Sequence, residues 1–346
     1  MKLSVIIPLH NGGDTIIRTL DSIVKQNFSD YEVIIVADYC TDNSLEQIRN
    51  YFCYNILPLR LITVDLDVHC AGNSRNLGLS VASGDWVTFI DQDDEFEDDA
   101  FNNVFQIINR DNLKYICCTL LYEYNEDTNE ITYHTDPQDN IDVWLHGKFY
   151  NRKNLLNKYK IKFKKNLQYL EDLYFNNKVV ETLFKLNEID RFTLPYYRVL
   201  TYKWYEHVSS THRKLVEGKY VFNHYGIAKY YCNIVFNSIL SSVPFITTQE
   251  SFDSIKSMVF ADIGYLYFNY NILVYRYGSE DVLSRTLIKE CKKYIEKILI
   301  NFRIDDIHTL VNRTINYMIE KDIGVENVDE FITMSFDEWW FLMLSK

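Results

Sequence analysis

Glycine and proline are scarce, at 11 and 5 in 346 residues. That excludes collagen-like repeats and linker-rich architectures. Seven cysteines, at 40, 53, 70, 117, 118, 232 and 291, form no C-x-x-C pair, and the number is odd. They read as reduced thiols of a cytosolic protein, not as a disulfide framework or a thiolate zinc site. Basic residues are outnumbered 36 to 48, for a net charge of −12, which argues against a nucleic-acid partner. Long apolar runs are missing too. The longest uncharged stretch, 230–249, is diluted by Asn, Ser, Thr and Pro, so no transmembrane helix is predicted. The opening apolar run ends at Pro8 without a leader pattern and reads as a first strand. What remains is a globular composition, 47% hydrophobic and 15% aromatic with 27 tyrosines, of a length that suggests about two domains.

The first hundred residues alternate between strand and helix patterns. Leu3–Pro8, Glu32–Val36, Leu59–Val64 and Trp86–Ile90 are short, β-branched and apolar, as buried strands are. Between them Asp14–Gln26, with Asp14 as N-cap, Asp42–Phe52 and Asn73–Ala82 carry helical spacing. Such alternation predicts a parallel sheet with right-handed crossovers and a ligand at the strands' carboxyl ends. Strands at Tyr115–Tyr124 and Glu130–His134, and helices at Asn151–Leu156 and Asp172–Leu183, follow. After about residue 215 strand signals fade into helical segments such as Arg285–Phe302 and Asp306–Lys321. The expected division is 1–214 and 215–346.

Four loops lie at that carboxyl edge. After the fourth strand comes DQDDEFEDD (91–99), seven acids in nine residues. Crowding Asp91, Asp93 and Asp94 costs repulsion unless a cation is shared, and carboxylates suit Mg²⁺ or Mn²⁺ with a diphosphate completing the shell. A solvated acidic loop is the plain alternative. After the first strand, His10-Asn11-Gly12-Gly13 either admits a ligand closely or makes a tight turn. After the second, Asp38 can accept hydrogen bonds from a base or ribose, while Asp42 can cap the next helix. After the third, Arg75 sits in the first turns of a helix, able to meet a base or phosphate or to form a surface ion pair.

The strings SVIIPLHNG, VIIVADYCTDNS, NSRNLGLSVASGDWVTFIDQDD and LHGKFYNRKNLLNKYKIKFKKNLQYLEDLYFN, in that order over residues 1–212, resemble the family 2 glycosyltransferases of the GT-A fold. The resemblance implies a Rossmann-like mixed α/β sheet followed by a mainly helical C-terminal domain. It implies an inverting, metal-assisted sugar transfer from a nucleotide-sugar, UDP-linked, to a hydroxyl of a glycan, lipid-linked or protein acceptor in bacterial cell-surface assembly. Nucleotide-sugar binding then falls to Pro8, His10, Asn11, Asp38, Arg75, Asp91, Gln92 and Asp93. Asp91 and Asp93 hold Mn²⁺ or Mg²⁺, with His207 and His212 as further candidates. Asp172 of the Glu171-Asp172 pair is the general base, although the pair could simply favour a helix N-terminus. Glu171, Trp204 and Tyr202 are acceptor candidates. The family's second loop reads D-D-G-S-T-D. Here Ala37 replaces its first acid and Tyr39 its glycine.

Other readings stay open. A nucleotidyltransferase would want a basic Gly-rich triphosphate loop, and 10–13 has no Lys or Arg. A catalytically inactive nucleotide- or glycan-binding module is opposed by intact Asp91, Asp93 and Asp172. Lys148–Lys165 holds eight basic residues and no acid, with lysines alternating at 158, 160, 162 and 164. This is either a solvated strand face or a contact for an anionic acceptor or the inner face of the membrane. The aromatic C-terminal part suggests a packing surface that could support a homo-oligomer.

Overall fold

The computed structural model describes residues 2–54, 58–66, 69–134, 144–167, 171–189 and 194–206, and the backbone of 213–216 and 219–222. The chain divides into two compact units, residues 1–189 with 193–210, and 190–192 with 211–346.

The first unit is built on a nine-stranded sheet of described residues. Strands β1 (Leu3–Leu9), β2 (Tyr31–Asp38) and β3 (Leu59–Val64) pair in parallel, and β4 (Trp86–Phe89) joins the other side of β1 in parallel. Every residue of β1 and β2 is buried. Both faces are covered, which is why these strands read as continuous apolar runs. Between them lie α1 (Ile16–Val24), α2 (Ser44–Tyr54) and α3 (Ala71–Val81). In α1, Ile16, Leu20 and Ile23 form the buried stripe. Its N-cap is Thr15, not the expected Asp14. On α3, a Cβ at Gly78 would come 2.5 Å from Ile6 Cγ2, so the missing side chain lets the helix lie directly on β1.

Beyond β4 the sheet becomes mixed. The two-residue β5 (Glu95–Phe96) and α4 (Ala100–Arg110) precede β6 (Ile116–Asn125), the short β7 (Ile131–His134), β8 (Lys148–Asn151), α5 (Glu171–Lys185) and β9 (Tyr196–Glu206). The order is β3-β2-β1-β4-β8-β6-β9-β5, with β7 on β6. Strands β8, β7 and β5 pair antiparallel to their neighbours, while β6 and β9 pair in parallel. A purely parallel sheet therefore holds only for the first half. Phe101, Val104, Phe105 and Ile108 of α4 enter the main core with Phe96, Phe149 and Tyr202.

Past β8, which takes its first four residues, the lysine-rich stretch is not a strand. Residues Arg152–Asn157 make one wide helical turn, and the following chain is irregular, with Ile161 and Phe163 buried between exposed Lys160 and Lys162. Lys148 is fully buried in β8. Of the second unit the described part is a hairpin, β10 (Arg213–Val216) with β11 (Lys219–Phe222). The helices expected after 215 lie outside the described residues. Among the described residues no helix is long and apolar enough to cross a membrane.

Candidate active site

The loops after β1, β2 and β4 are fastened to one another by side chains. Gln92 accepts from His10 N at 2.8 Å and donates to His10 O at 3.2 Å. A Cβ on Gly12 would lie 2.7 Å from the Gln92 side chain, so that glycine admits a neighbouring loop. Asn11, at φ 50°, accepts from Thr41 N at 2.8 Å and Asp42 N at 3.3 Å. Asp42 accepts from Gly13 N and Ser44 N at 2.8 and 3.1 Å, so from one position before the cap it satisfies the N–H of the first residue of α2. Loss of solvent works against its charge, but the bonds from Ser44 and Gly13 prevail and hold its pKa below the usual carboxylate value. Pro8 is buried inside β1, beyond the last β1–β4 pair, where a missing N–H breaks no bond to β4.

Asp38 ends β2 with its side chain buried. Its Oδ1 accepts from Leu66 N and from His69 Nδ1, each at 3.0 Å. The His10 ring donates from Nδ1 to the Asp38 carbonyl at 2.8 Å. The rings of His10 and His69 stack with centroids 6.1 Å apart, and Tyr39 stacks on His69 at 5.2 Å.

Arg75 is buried near the start of α3, with its side chain 4% exposed. Its Nη2 donates to Asp91 Oδ1 at 2.5 Å and its Nη1 to Glu171 Oε1 at 2.6 Å. The guanidinium thus joins the end of β4 to the first residue of α5. Loss of solvent opposes the Asp91 charge, but Arg75 and His146 outweigh it and drive the pKa far below the usual carboxylate range. Beside this pair, Asp172 behaves oppositely. Loss of solvent and the adjacent Glu171 carboxylate push it up to about 7, against a bond from Leu173 N and the pull of Arg75. Glu171 and Asp172 occupy the first turn of α5.

Asp94, not Asp93, turns inward. It is 1% exposed, accepts from Tyr202 Oη at 2.6 Å and from Tyr205 N at 2.9 Å, and thereby ties the acidic loop to β9. Burial and the neighbouring Asp93 and Asp91 charges raise its pKa well above the ordinary value. His146, in the turn before β8, brings Nε2 to 3.7 Å from Asp91 and 3.9 Å from Asp94. One donor atom from each of Asp91, Asp94 and His146 lies within 4.8 Å of the others. His146 Nδ1 is buried without a hydrogen-bond partner. Two carboxylates and an imidazole fit a divalent cation, and Asp94's crowding is what a cation would relieve. Asp93 is half-buried, its main-chain oxygen accepts from Arg18 Nη2 at 2.7 Å, and its carboxylate is not in that group.

Tyr202 is fully buried, so it supports Asp94 and presents no face to an acceptor. Trp204 is half-buried, 5.4 Å from Trp144 and 5.8 Å from His146 between ring centroids. His207 and His212 lie outside the described residues. His146 and the part played by Asp94 were not apparent from sequence. The one available signal was a histidine set just before a short apolar strand, in LHGKFY.

Residues 4–174 match the model of "Glycosyl transferase family 2". The chain is similar to the uncharacterized glycosyltransferase YibD of Escherichia coli, 37% identical over 142 residues, 40% of this chain and 39% of that one. It therefore spans about two fifths of that relative. Its fold is similar to that of Staphylococcus aureus TarS 1–349 in complex with UDP-GlcNAc, with a TM-score of 0.64 and 18% identity over 96% of this chain and 90% of that one. It is also similar to the Pyrobaculum calidifontis mannosyltransferase PcManGT in complex with GDP-Man and Mn²⁺, with a TM-score of 0.52 and 14% identity over 93% of this chain and 86% of that one.

Proposed function

Residues 4–174 belong to the family 2 glycosyl transferases on a GT-A fold, and from that premise we propose that the chain moves a sugar from a nucleoside-diphosphate donor to an acceptor hydroxyl with inversion. The observation that carries this reading is Asp172. It is a carboxyl held near pH 7, fixed at the start of a helix whose first residue is strapped to the acidic loop through Arg75. A base in that range is ionised in part at neutral pH and still attracts a proton.

In the proposed displacement Asp172 takes the acceptor hydroxyl proton. The acceptor oxygen forms a bond to the sugar's anomeric carbon while the bond from that carbon to the diphosphate breaks, and the electron pair leaves with the diphosphate. Asp91, Asp94 and His146 would hold the divalent cation, which when bound supplies positive charge opposite the departing diphosphate. The imidazole among the donors favours Mn²⁺ over Mg²⁺, which prefers an all-oxygen shell. The UDP-GlcNAc in the TarS structure supports a UDP-sugar as donor.

The test is release of nucleotide from a panel of UDP-, GDP- and dTDP-sugars, with and without Mn²⁺. Metal-dependent release from at least one supports transfer chemistry. No release from any, with folded protein, removes it.

A further inference from the structure

We propose that Tyr39, backed by His69, is the surface on which the donor's nucleobase stacks, so that this chain recognises its nucleotide by ring contact more than by a hydrogen bond to Asp38. The inference deepens the reading of the site given above and rests on it.

Three observations point the same way. Tyr39 follows directly on β2, at the carboxyl edge where a ligand of such a sheet lies. It holds φ 49°, in the left-handed region that side chains other than glycine seldom adopt, and its N–H is fastened to Val64 O at 2.9 Å. A large residue kept in an unfavourable backbone position is a reason to look for a use. Its ring is also not folded into the core. It remains 51% exposed while one face lies on His69, with planes 24° apart. A flat apolar face thus stays open to solvent, and a planar base can cover it.

His69 explains why the ring is rigid and why Asp38 contributes less. Its Nδ1 donates to Asp38 Oδ1 and its ring also stacks with His10, which in turn donates to the Asp38 carbonyl. Tyr39 therefore rests on a ring that is itself held by a hydrogen bond and a second ring contact. Meanwhile Asp38 Oδ1 is shared between Leu66 N and His69, and the side chain is 4% exposed. Stacking is tolerant of base identity because every base offers a π-face. The expected consequence is modest discrimination among nucleoside diphosphates.

Calorimetric titration of the full chain in the presence of Mn²⁺ tests this, with UDP, GDP and inorganic pyrophosphate as probes. Tyr39→Gly suits the left-handed backbone better than tyrosine does, so lost affinity cannot be blamed on misfolding. It should weaken UDP binding by about 5- to 150-fold, the range that loss of one stacked aromatic produces. Tyr39→Phe keeps the ring and should stay within about twofold of the parent. Pyrophosphate carries no base and should bind both variants as it binds the parent. UDP affinity unchanged in Tyr39→Gly, equal losses in Tyr39→Phe and Tyr39→Gly, or a parallel fall for pyrophosphate would each overturn the proposal. A parent protein that binds pyrophosphate but neither nucleotide would overturn it as well. These outcomes leave the transfer reading to its own test, because nucleotide release from a sugar panel is measured on the unmodified chain.

Discussion

Asp91 and Glu171 are held together by one buried guanidinium, accepting from Nη2 and Nη1 of Arg75 at 2.5 and 2.6 Å. The parallel half of the sheet supplies the first acid and α5 the second, so the bridge fixes the base-bearing helix to the acidic loop. Arg75→Met leaves two carboxylates facing each other without their cation. The carboxylates left behind are 36% and 16% exposed, so the loss should be smaller than the about 3–5 kcal/mol of a fully buried pair broken from one side, and the urea midpoint should still fall. An unshifted midpoint would show that the bridge is not formed in solution.

The same arginine also bears on the pH response. It is among the influences that lower the Asp172 pKa, which loss of solvent and Glu171 raise to about 7. If Asp172 is the base, kcat should fall about tenfold for each pH unit well below 7, because only the carboxylate accepts a proton. In any Arg75 variant that still folds, that acid limb should move to higher pH. A profile flat from pH 5 to 8 would separate Asp172 from the rate.

Tyr202 connects Asp94 to the core, and its hydroxyl is the nearer of the two partners that hold that carboxylate. Removing an outer partner of a metal-ligating group costs about 10–100-fold in metal affinity. Tyr202→Phe should therefore bind Mn²⁺ that much more weakly by electron paramagnetic titration, with its fold intact by circular dichroism. Equal affinity in the variant would take Asp94 out of the metal site.

How much of this was legible follows from sequence distance. Strands β1 to β4 and helices α1 to α3 alternate locally, and burial on both faces makes β1, β2 and β4 near-continuous apolar runs, so they could be read directly, whereas β3, at the sheet's edge, has only half-buried and exposed residues. The places of Asp38, Arg75 and Asp91 at or near element ends could be read from the strand and helix pattern, while Asp172 is reached only through the family resemblance. His146 could not be read. It reaches Asp91 only because β8 enters the sheet antiparallel beside β4, a pairing that no local periodicity encodes. Asp93 and Asp94 are indistinguishable in the string. What separates them is the Tyr205 N–H and Tyr202 hydroxyl of a strand more than a hundred residues away. Lys148 misled for a related reason. A lysine suggests solvent, but this one is enclosed, with Nζ donating to the Trp144 carbonyl.

Gly78 offers a test of the scaffold that leaves the chemistry alone. A methyl group there meets Ile6 Cγ2 at 2.5 Å, and α3 would have to lift from β1. Overpacking of this kind costs about 1–3 kcal/mol. Gly78→Ala should lose that much in chemical denaturation, although alanine is the better helix former. A gain in stability would mean that the helix does not sit where it is described.

Asp172→Asn should separate function from stability by sign. An aspartate in an unfolded chain ionises near about 3.9, and here the folded value is about 7. The folded state therefore holds this proton more tightly than the unfolded chain does. The stability this provides is complete below about pH 4 and is lost as pH rises through 7, where the enclosed carboxyl must take on charge. Asparagine resembles the protonated acid and never ionises. The variant should match the parent's melting temperature near pH 4 and exceed it at pH 8. Its turnover should drop about 10²–10⁴-fold, the usual consequence of losing a general base, while nucleotide binding survives. A structural carboxylate that only favoured the start of α5 would give the reverse: a less stable variant at pH 8, because the negative charge at the helix N-terminus is gone, and turnover close to normal. The two measurements together decide whether α5 begins with a cap or with a base.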